Sequence, residues 1–267
     1  MTSFGLIAGN GTFPLEVAQA AKARGFKVIA VAHRGETSPQ LEQLCDAITW
    51  IDVGALETLI DVFKLAGIEI AAMAGGISRQ RLITSFRPDS RALQMLAQVG
   101  KLSDDAVLRG VAAELESEGI TVIDPVERFG LPVAKPGLIA GPEPPSYALE
   151  DIRLGFAVAR ALGTFDVGQV VAVRQGVVAA VEAIEGTDET MRRAAKLAGR
   201  GLVMVKVAKP SQDMRFDRPA IGPTTIELLH QIEASVLAVE AEKALILELA
   251  RTLELAEQYQ ISVVGHV

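Results

Sequence analysis

From Lys209 to Glu227 the chain reads Lys-Pro-Ser-Gln-Asp-Met-Arg-Phe-Asp-Arg-Pro-Ala-Ile-Gly-Pro-Thr-Thr-Ile-Glu. Asp213 and Asp217 flank Arg215, Arg218 follows, and no apolar period runs through the stretch. Carboxylate oxygens of this kind hold a divalent cation, and guanidinium forks hold phosphate oxygens. The pattern therefore fits a metal-assisted phosphate site. A solvated loop punctuated by Pro and Gly fits it as well. A second set of candidates lies upstream, in Gly9-Asn10-Gly11-Thr12 and in Gly75-Gly76 followed by Arg79, Arg81 and Arg87. Glycine turns let backbone N–H groups approach an anion at a helix N-terminus, and an arginine cluster beside them suits phosphate.

The elements that would position these residues are legible from periodicity. Phe4–Ala8 is an apolar run that ends in the first glycine turn, and a helical pattern with Pro14 in its first turn follows. Strands are expected at 27–32, 47–52, 69–74 and 120–123, with a helix at 57–66. Strands alternating with helices imply a parallel sheet, whose ligands bind beyond the carboxyl ends of the strands. The dinucleotide fingerprint is incomplete, because Pro14 stands where its third glycine would be, and the tip of the second strand, His33-Arg34-Gly35, carries no acid for a ribose. NAD is disfavoured. Arg34 leaves a nucleotide- or NADP-binding, non-catalytic α/β module as the alternative reading. Asp104 and Asp105 open a helix, where capping by Ser103 or Asp104 explains much of the acidity.

Six prolines between Pro125 and Pro145 mark a change of composition and are expected to form a hinge. The fold expected is α/β in two domains: a Rossmann-like parallel sheet over 1–134, a Pro/Gly-rich hinge over 135–147, and a mixed α/β catalytic domain over 148–267, with the site in the cleft between them. In the second half, strands at 170–173 and 177–184 are joined by the hairpin turn Arg174-Gln175-Gly176, and Thr187 or Asp188 is placed to cap a helix through Leu197. Glu182 and Glu185 end the second of these strands. Thr224 or Thr225 caps a later helix, and Leu245–Ala256 has helical spacing that suits core or dimer contact.

Composition removes several classes. A net charge of −7 argues against duplex nucleic acid as a partner. The single Cys45 permits no intrachain disulfide and no cysteine-built zinc site. The N-terminus does not read as a signal peptide, and no apolar run reaches the roughly 18 residues of a spanning helix. A cytoplasmic protein is expected. Nucleophile elbows, His-Glu-x-x-His and Walker loops are absent, and the histidines are scattered.

The runs Gly5–Pro14, Asp166–Gln169, Val181–Asp188, Lys209–Asp217, Ile221–Ile226 and Val239–Ala241 resemble the LpxI family, the UDP-2,3-diacylglucosamine diphosphatases of lipid A synthesis, in the same order over nearly the whole chain. The resemblance implies a Mg²⁺-dependent cytoplasmic enzyme of Gram-negative bacteria that splits UDP-2,3-diacylglucosamine into lipid X and UMP, with water attacking the phosphorus nearer the sugar. It places the catalytic acid in the Gln-Asp-Met-Arg-Phe-Asp motif, at Asp213 or Asp217 without choosing, with Arg215 beside them. The same two carboxylates are the metal ligands it suggests. On this reading Gly9, Asn10, Gly11, Thr12, Gly75, Gly76 and Arg79 take the UDP side, and Glu185, Thr187, Asp188, Lys209 and Thr225 complete the phosphate site. A lipid substrate implies transient contact with the inner face of the inner membrane, and a homodimer is admitted. One departure is Glu240-Ala-Glu242-Lys243, where the family pattern expects Glu-Ala-Gly-Lys.

Overall fold

The computed structural model describes residues 2–78, 86–100, 103–210 and 212–267. Two compact units result. One comprises Met1–Leu131 with Asp213–Asp217, the other Pro132–Gln212 with Arg218–Val267.

The first unit carries β1 (Ser3–Ala8), β2 (Lys27–His33), β3 (Ala47–Ile51), β4 (Ile70–Ala74) and β5 (Thr121–Val122). Among the described residues they form a parallel sheet in the order β3-β2-β1-β4-β5. Phe4, Leu6 and Ala8 pack on one face with Val17, Ala18 and Ala21 of the helix Phe13–Ala23. Ile7 looks to the other face, where Ile60, Phe63 and Leu115 lie. A strand covered on both sides reads as a continuous apolar run, as Phe4–Ala8 does. The chain winds outward from β1 to β3 and returns to β4 on β1's other side. In sheets of this kind ligands bind beyond the carboxyl ends of the strands at such a reversal, here those of β1 and β4.

Asp213–Asp217 belongs to this unit and not, as expected, to the 148–267 region. Phe216 is the reason. It is buried in the same core cluster as Ala112, Leu115 and Val122, and burying a phenylalanine contributes about 1.5–3 kcal/mol.

The second unit carries β6 (Gly137–Ala140), β7 (Val170–Arg174), β8 (Val177–Val181), β9 (Val203–Lys206), β10 (Ala220–Ile221), β11 (Val236–Glu240), β12 (Leu245–Ile246) and β13 (Ser262–His266). Six of these form a mixed sheet in the order β6-β13-β11-β9-β7-β8, parallel at its centre and antiparallel towards both edges. The helix Ala148–Thr164 covers one face through Ile152, Phe156 and Ala159. The helices Thr187–Ala198, Pro223–Gln231 and Leu249–Gln258 supply Met191, Ile226 and Leu255 to the other. The hairpin turn has positive φ at Gln175 (49°) and Gly176 (78°), as a tight two-residue connection requires. Buried Asp151 fixes it, its carboxylate accepting their N–H groups at 2.7 and 2.6 Å.

Two expectations are corrected. The stretch taken as a hinge contains β6, which pairs antiparallel with β13, so it is woven into the second unit. Prolines bracket that strand without interrupting its ladder. Leu245–Ala256 is not one helix: Leu245 and Ile246 pair with β10, the helix begins at Leu249, and Leu255 and Ala256 are core. Among the described residues no helix is long and apolar enough to cross a membrane.

Candidate active site

In the first unit the turns after β1 and β4 interlock. Gly9 N–H donates to the Ala74 carbonyl and Asn10 N–H to the Gly76 carbonyl, both at 2.8 Å. A Cβ on Gly9 would stand 2.3 Å from the Gly76 oxygen, and one on Gly75 would stand 2.2 Å from the Asn10 oxygen. These glycines are required for backbone to lie on backbone. Asn10 serves the same contact, its Oδ1 accepting from Gly76 N–H at 3.3 Å and its Nδ2 donating to Glu36 at 2.9 Å. Glu36 also accepts from the Ser78 N–H and hydroxyl at 3.0 and 2.6 Å. Gly11, at φ 80°, has open space where a side chain would be, and Thr12 stands at the N-cap position of the Phe13–Ala23 helix without a side-chain capping bond, at the positive end of its dipole. His33 is a buried strut, its Nδ1 bonded to the Ala8 carbonyl at 2.9 Å, and burial pushes its pKa down. Arg34 donates to the Trp50 carbonyl at 2.9 Å and lies 4.0 Å from Asp52, turned towards β3. Nothing there favours the NADP reading. Arg79 and Arg81 lie outside the described residues.

The Asp213–Asp217 turn rests on the helix Asp104–Ser117 and on β5. Asp213 caps its own turn, Oδ1 accepting from Arg215 N–H at 3.1 Å, while Asp217 N–H returns to the Asp213 carbonyl at 3.0 Å. The Arg215 guanidinium forks onto the same carboxylate, Nε at 3.1 Å and Nη2 at 2.9 Å, and Nη1 reaches Glu116 at 2.8 Å. On the helix Arg109 binds Asp105 at 2.7 Å and stands 3.6 Å from Asp213, whose N–H donates to Asp105 at 3.3 Å. Hydrogen bonds from Arg215 hold the Asp213 carboxyl below its ordinary range against the opposing effect of burial. Asp213 is thus an ionised anchor with both oxygens engaged.

In the second unit Glu182, buried at the end of β8, accepts from Gln169 N–H at 3.0 Å and from the Thr187 hydroxyl at 2.9 Å. Thr187 and Asp188 do not cap their helix. Gly186, at φ 82°, holds the cap position, and Asp188 lies 4.0 Å from Arg192. Glu185 pairs with Arg193 and accepts from Thr190. Lys209 binds Asp166 at 2.6 Å, and the Thr225 hydroxyl accepts from Gly222 N–H at 3.3 Å. Glu240, buried at the end of β11, accepts from Lys243 at 2.8 Å and from Ala208 N–H at 2.9 Å. Its pKa is lowered although burial opposes this, because Lys243 and that N–H bond the ionised form.

The LpxI N-terminal domain model matches residues 3–129 and the LpxI C-terminal domain model matches residues 135–264. The chain belongs to the LpxI family. It is 31% identical over 276 residues to the UDP-2,3-diacylglucosamine pyrophosphatase LpxI of Caulobacter vibrioides, covering 99% of this chain and 98% of that one. Solved structures of other proteins align weakly. The biotin carboxylase domain of Hydrogenobacter thermophilus 2-oxoglutarate carboxylase matches at TM-score 0.27 and 16% identity, over 75% of this chain and 43% of that one. Phosphoribosylglycinamide synthetase of Anaerococcus prevotii matches at 0.29 and 11%, over 76% and 44%.

Among the described residues of this LpxI chain, no three His, Cys, Asp or Glu side chains converge as a metal site. A magnesium ion needs only one or two carboxylates when phosphates and water fill its shell, so the donor set suits an ion that arrives with a phosphate ligand. The sequence reading passed over Glu36, Arg109 and Glu116. The Asp105–Arg109 spacing was the one available signal, because residues four apart share a helix face.

Proposed function

We propose that this chain hydrolyses the diphosphate bond of UDP-2,3-diacylglucosamine, giving 2,3-diacylglucosamine 1-phosphate (lipid X) and UMP. The observation that carries the reading is the Asp213–Asp217 turn. It is an ion-paired turn inside the stretch matched by the LpxI C-terminal domain model, and kinship over both domains supports the substrate class. In the proposed reaction water forms a bond to the phosphorus nearer the sugar. The bridging P–O bond breaks, and its oxygen leaves with UMP.

Asp213 has both oxygens on Arg215, so we assign it and Arg215 to positioning the turn. Asp217, at the turn's end, is assigned to orienting the attacking water. Asp217 would hold Mg²⁺, which when bound neutralises phosphate charge, and Asp213, with both oxygens on Arg215, is left to positioning. Gly11 and Thr12, at the helix N-terminus, are the part of the glycine turn assigned to the UDP phosphates. Transient contact with the inner membrane face follows from the acyl chains of the substrate.

Incubating the protein with the substrate and Mg²⁺ in ¹⁸O water tests both the activity and the bond. Label in lipid X is expected. Label in UMP alone would overturn the point of attack, and no product would overturn the reading.

A further inference from the structure

Residues Val207, Ala208 and Lys209 leave the end of β9, and each of their N–H groups is held by a different partner. Val207 donates to the Gln169 carbonyl at 3.0 Å, Ala208 to the Glu240 carboxylate at 2.9 Å, and Lys209 to Gln212 Oε1 at 2.8 Å. Gln169 is fixed in turn by Glu182 through its own N–H, and Gln212 by donating its N–H to the Lys209 carbonyl at 3.0 Å. The two glutamines therefore flank one rigid three-residue segment.

Their remaining amide atoms are anomalous. Gln169 Oε1 and Gln212 Nε2 are both fully buried, and neither has a hydrogen-bond partner among the described residues. Gln212 as a whole is only 8% exposed. More than about nine in ten buried polar atoms are paired, and leaving one unpaired costs stability. Here two such atoms occur on the two flanks of the same segment, one an acceptor and one a donor. Neither belongs to the charged machinery of the first unit, although Gln212 directly precedes Asp213 in the chain.

We infer that Gln169 Oε1 and Gln212 Nε2 are the two halves of a recognition site for an amide group of the substrate, an inference that rests on the hydrolase reading above. An uncharged amide offers one N–H for the acceptor and one C=O for the donor. It leaves no charge to be desolvated beside buried Glu182 and Glu240. The substrate carries this chemistry in two places, the 2-acylamido group of the glucosamine and the N3–H/C4=O edge of uracil. The 3-acyl ester lacks the N–H.

The test compares three substrates on the intact enzyme: the parent compound, an analogue with an ester in place of the 2-amide, and the cytidine counterpart of the parent. Wild-type protein is expected to lose on the order of tenfold or more in kcat/KM with one of the two analogues, because a site built for an N–H leaves its acceptor unpaired without one. Gln169→Met should abolish that discrimination by lowering the parent substrate to the level of the analogue. Its melting temperature should equal or exceed that of wild type, since an unpaired buried oxygen has been removed. Gln212→Glu, which keeps the acceptor for Lys209 N–H and deletes only the donor, should lower the parent and the analogue that wild type still accepts. Equal wild-type turnover of all three would overturn the inference even if Gln169→Met failed to fold. So would a Gln169→Met variant that slows all three equally. Loss of all wild-type turnover, parent included, would instead strike the hydrolase reading.

Discussion

The glycine turns after β1 and β4 and the turn ending at Asp217 lie in one unit, yet they are made of different things. The first is backbone against backbone: Gly9 and Gly75 are close enough that side chains are excluded, and the Asn10 side chain is spent on closing the contact. The second is side chain against side chain, with Asp213, Arg215, Glu116, Asp105 and Arg109 in one charged network over the Phe216 anchor. Two motifs that both look like phosphate binders in sequence thus divide into a structural joint and a charged turn. Gly9 and Gly75 have no space for a side chain, and Gly11 beside Thr12 leaves that space open.

The largest contrast should come from the glycines themselves. Gly9→Ala drives a Cβ into the Gly76 carbonyl at 2.3 Å and should destabilise the first unit by about 2–4 kcal/mol, whereas Gly11→Ala meets nothing within 4 Å and should cost about 1–2 kcal/mol for its positive φ. Denaturant melts of the two variants check this, and equal losses would erase the distinction between joint and open turn. A smaller effect is expected from Arg215→Lys, which keeps the charge but loses the fork on Asp213. Its turnover should fall about tenfold to thirtyfold with substrate affinity little changed, as steady-state kinetics and equilibrium binding would show.

The smallest effect is in acid. The folded Asp213 carboxyl is held low, so its contribution is complete above its unfolded pKa of about 3.9 and is lost as pH falls through the lower folded value. Asp213→Asn should therefore flatten the stability curve below about pH 4. An unchanged acid limb would mean that Arg215 does not hold Asp213 in solution.

Local features of this fold were legible. The apolar run Phe4–Ala8, the glycine stop and Pro14 announce a strand and helix, and Arg174-Gln175-Gly176 announces its hairpin. What escaped depends on partners distant in the chain. Nothing near Phe216 reveals that it is buried in the same core as Leu115, about a hundred residues earlier, and so the motif was assigned to the other unit. Leu245 and Ile246 have helical spacing but take a strand partner in Ala220–Ile221. Prolines from Pro125 to Pro145 suggest a hinge over 135–147 because composition does not show that residues among them pair with β13. Glycine spacing marks the two turns that interlock, whereas Glu36, which ties them together, lies beyond the strand tip where an acid is sought.

The central claim is that the chemistry resides in the Asp217 turn and not in the glycine joint. It is tested most directly by measuring turnover and substrate binding for Asp217→Ala beside Asn10→Ala, both at a temperature where each is folded. The expected result is that Asp217→Ala loses about 10²- to 10⁴-fold in kcat and still binds substrate, while Asn10→Ala keeps kcat within a few-fold. Near-normal kcat in Asp217→Ala, with collapse in Asn10→Ala, would contradict the account.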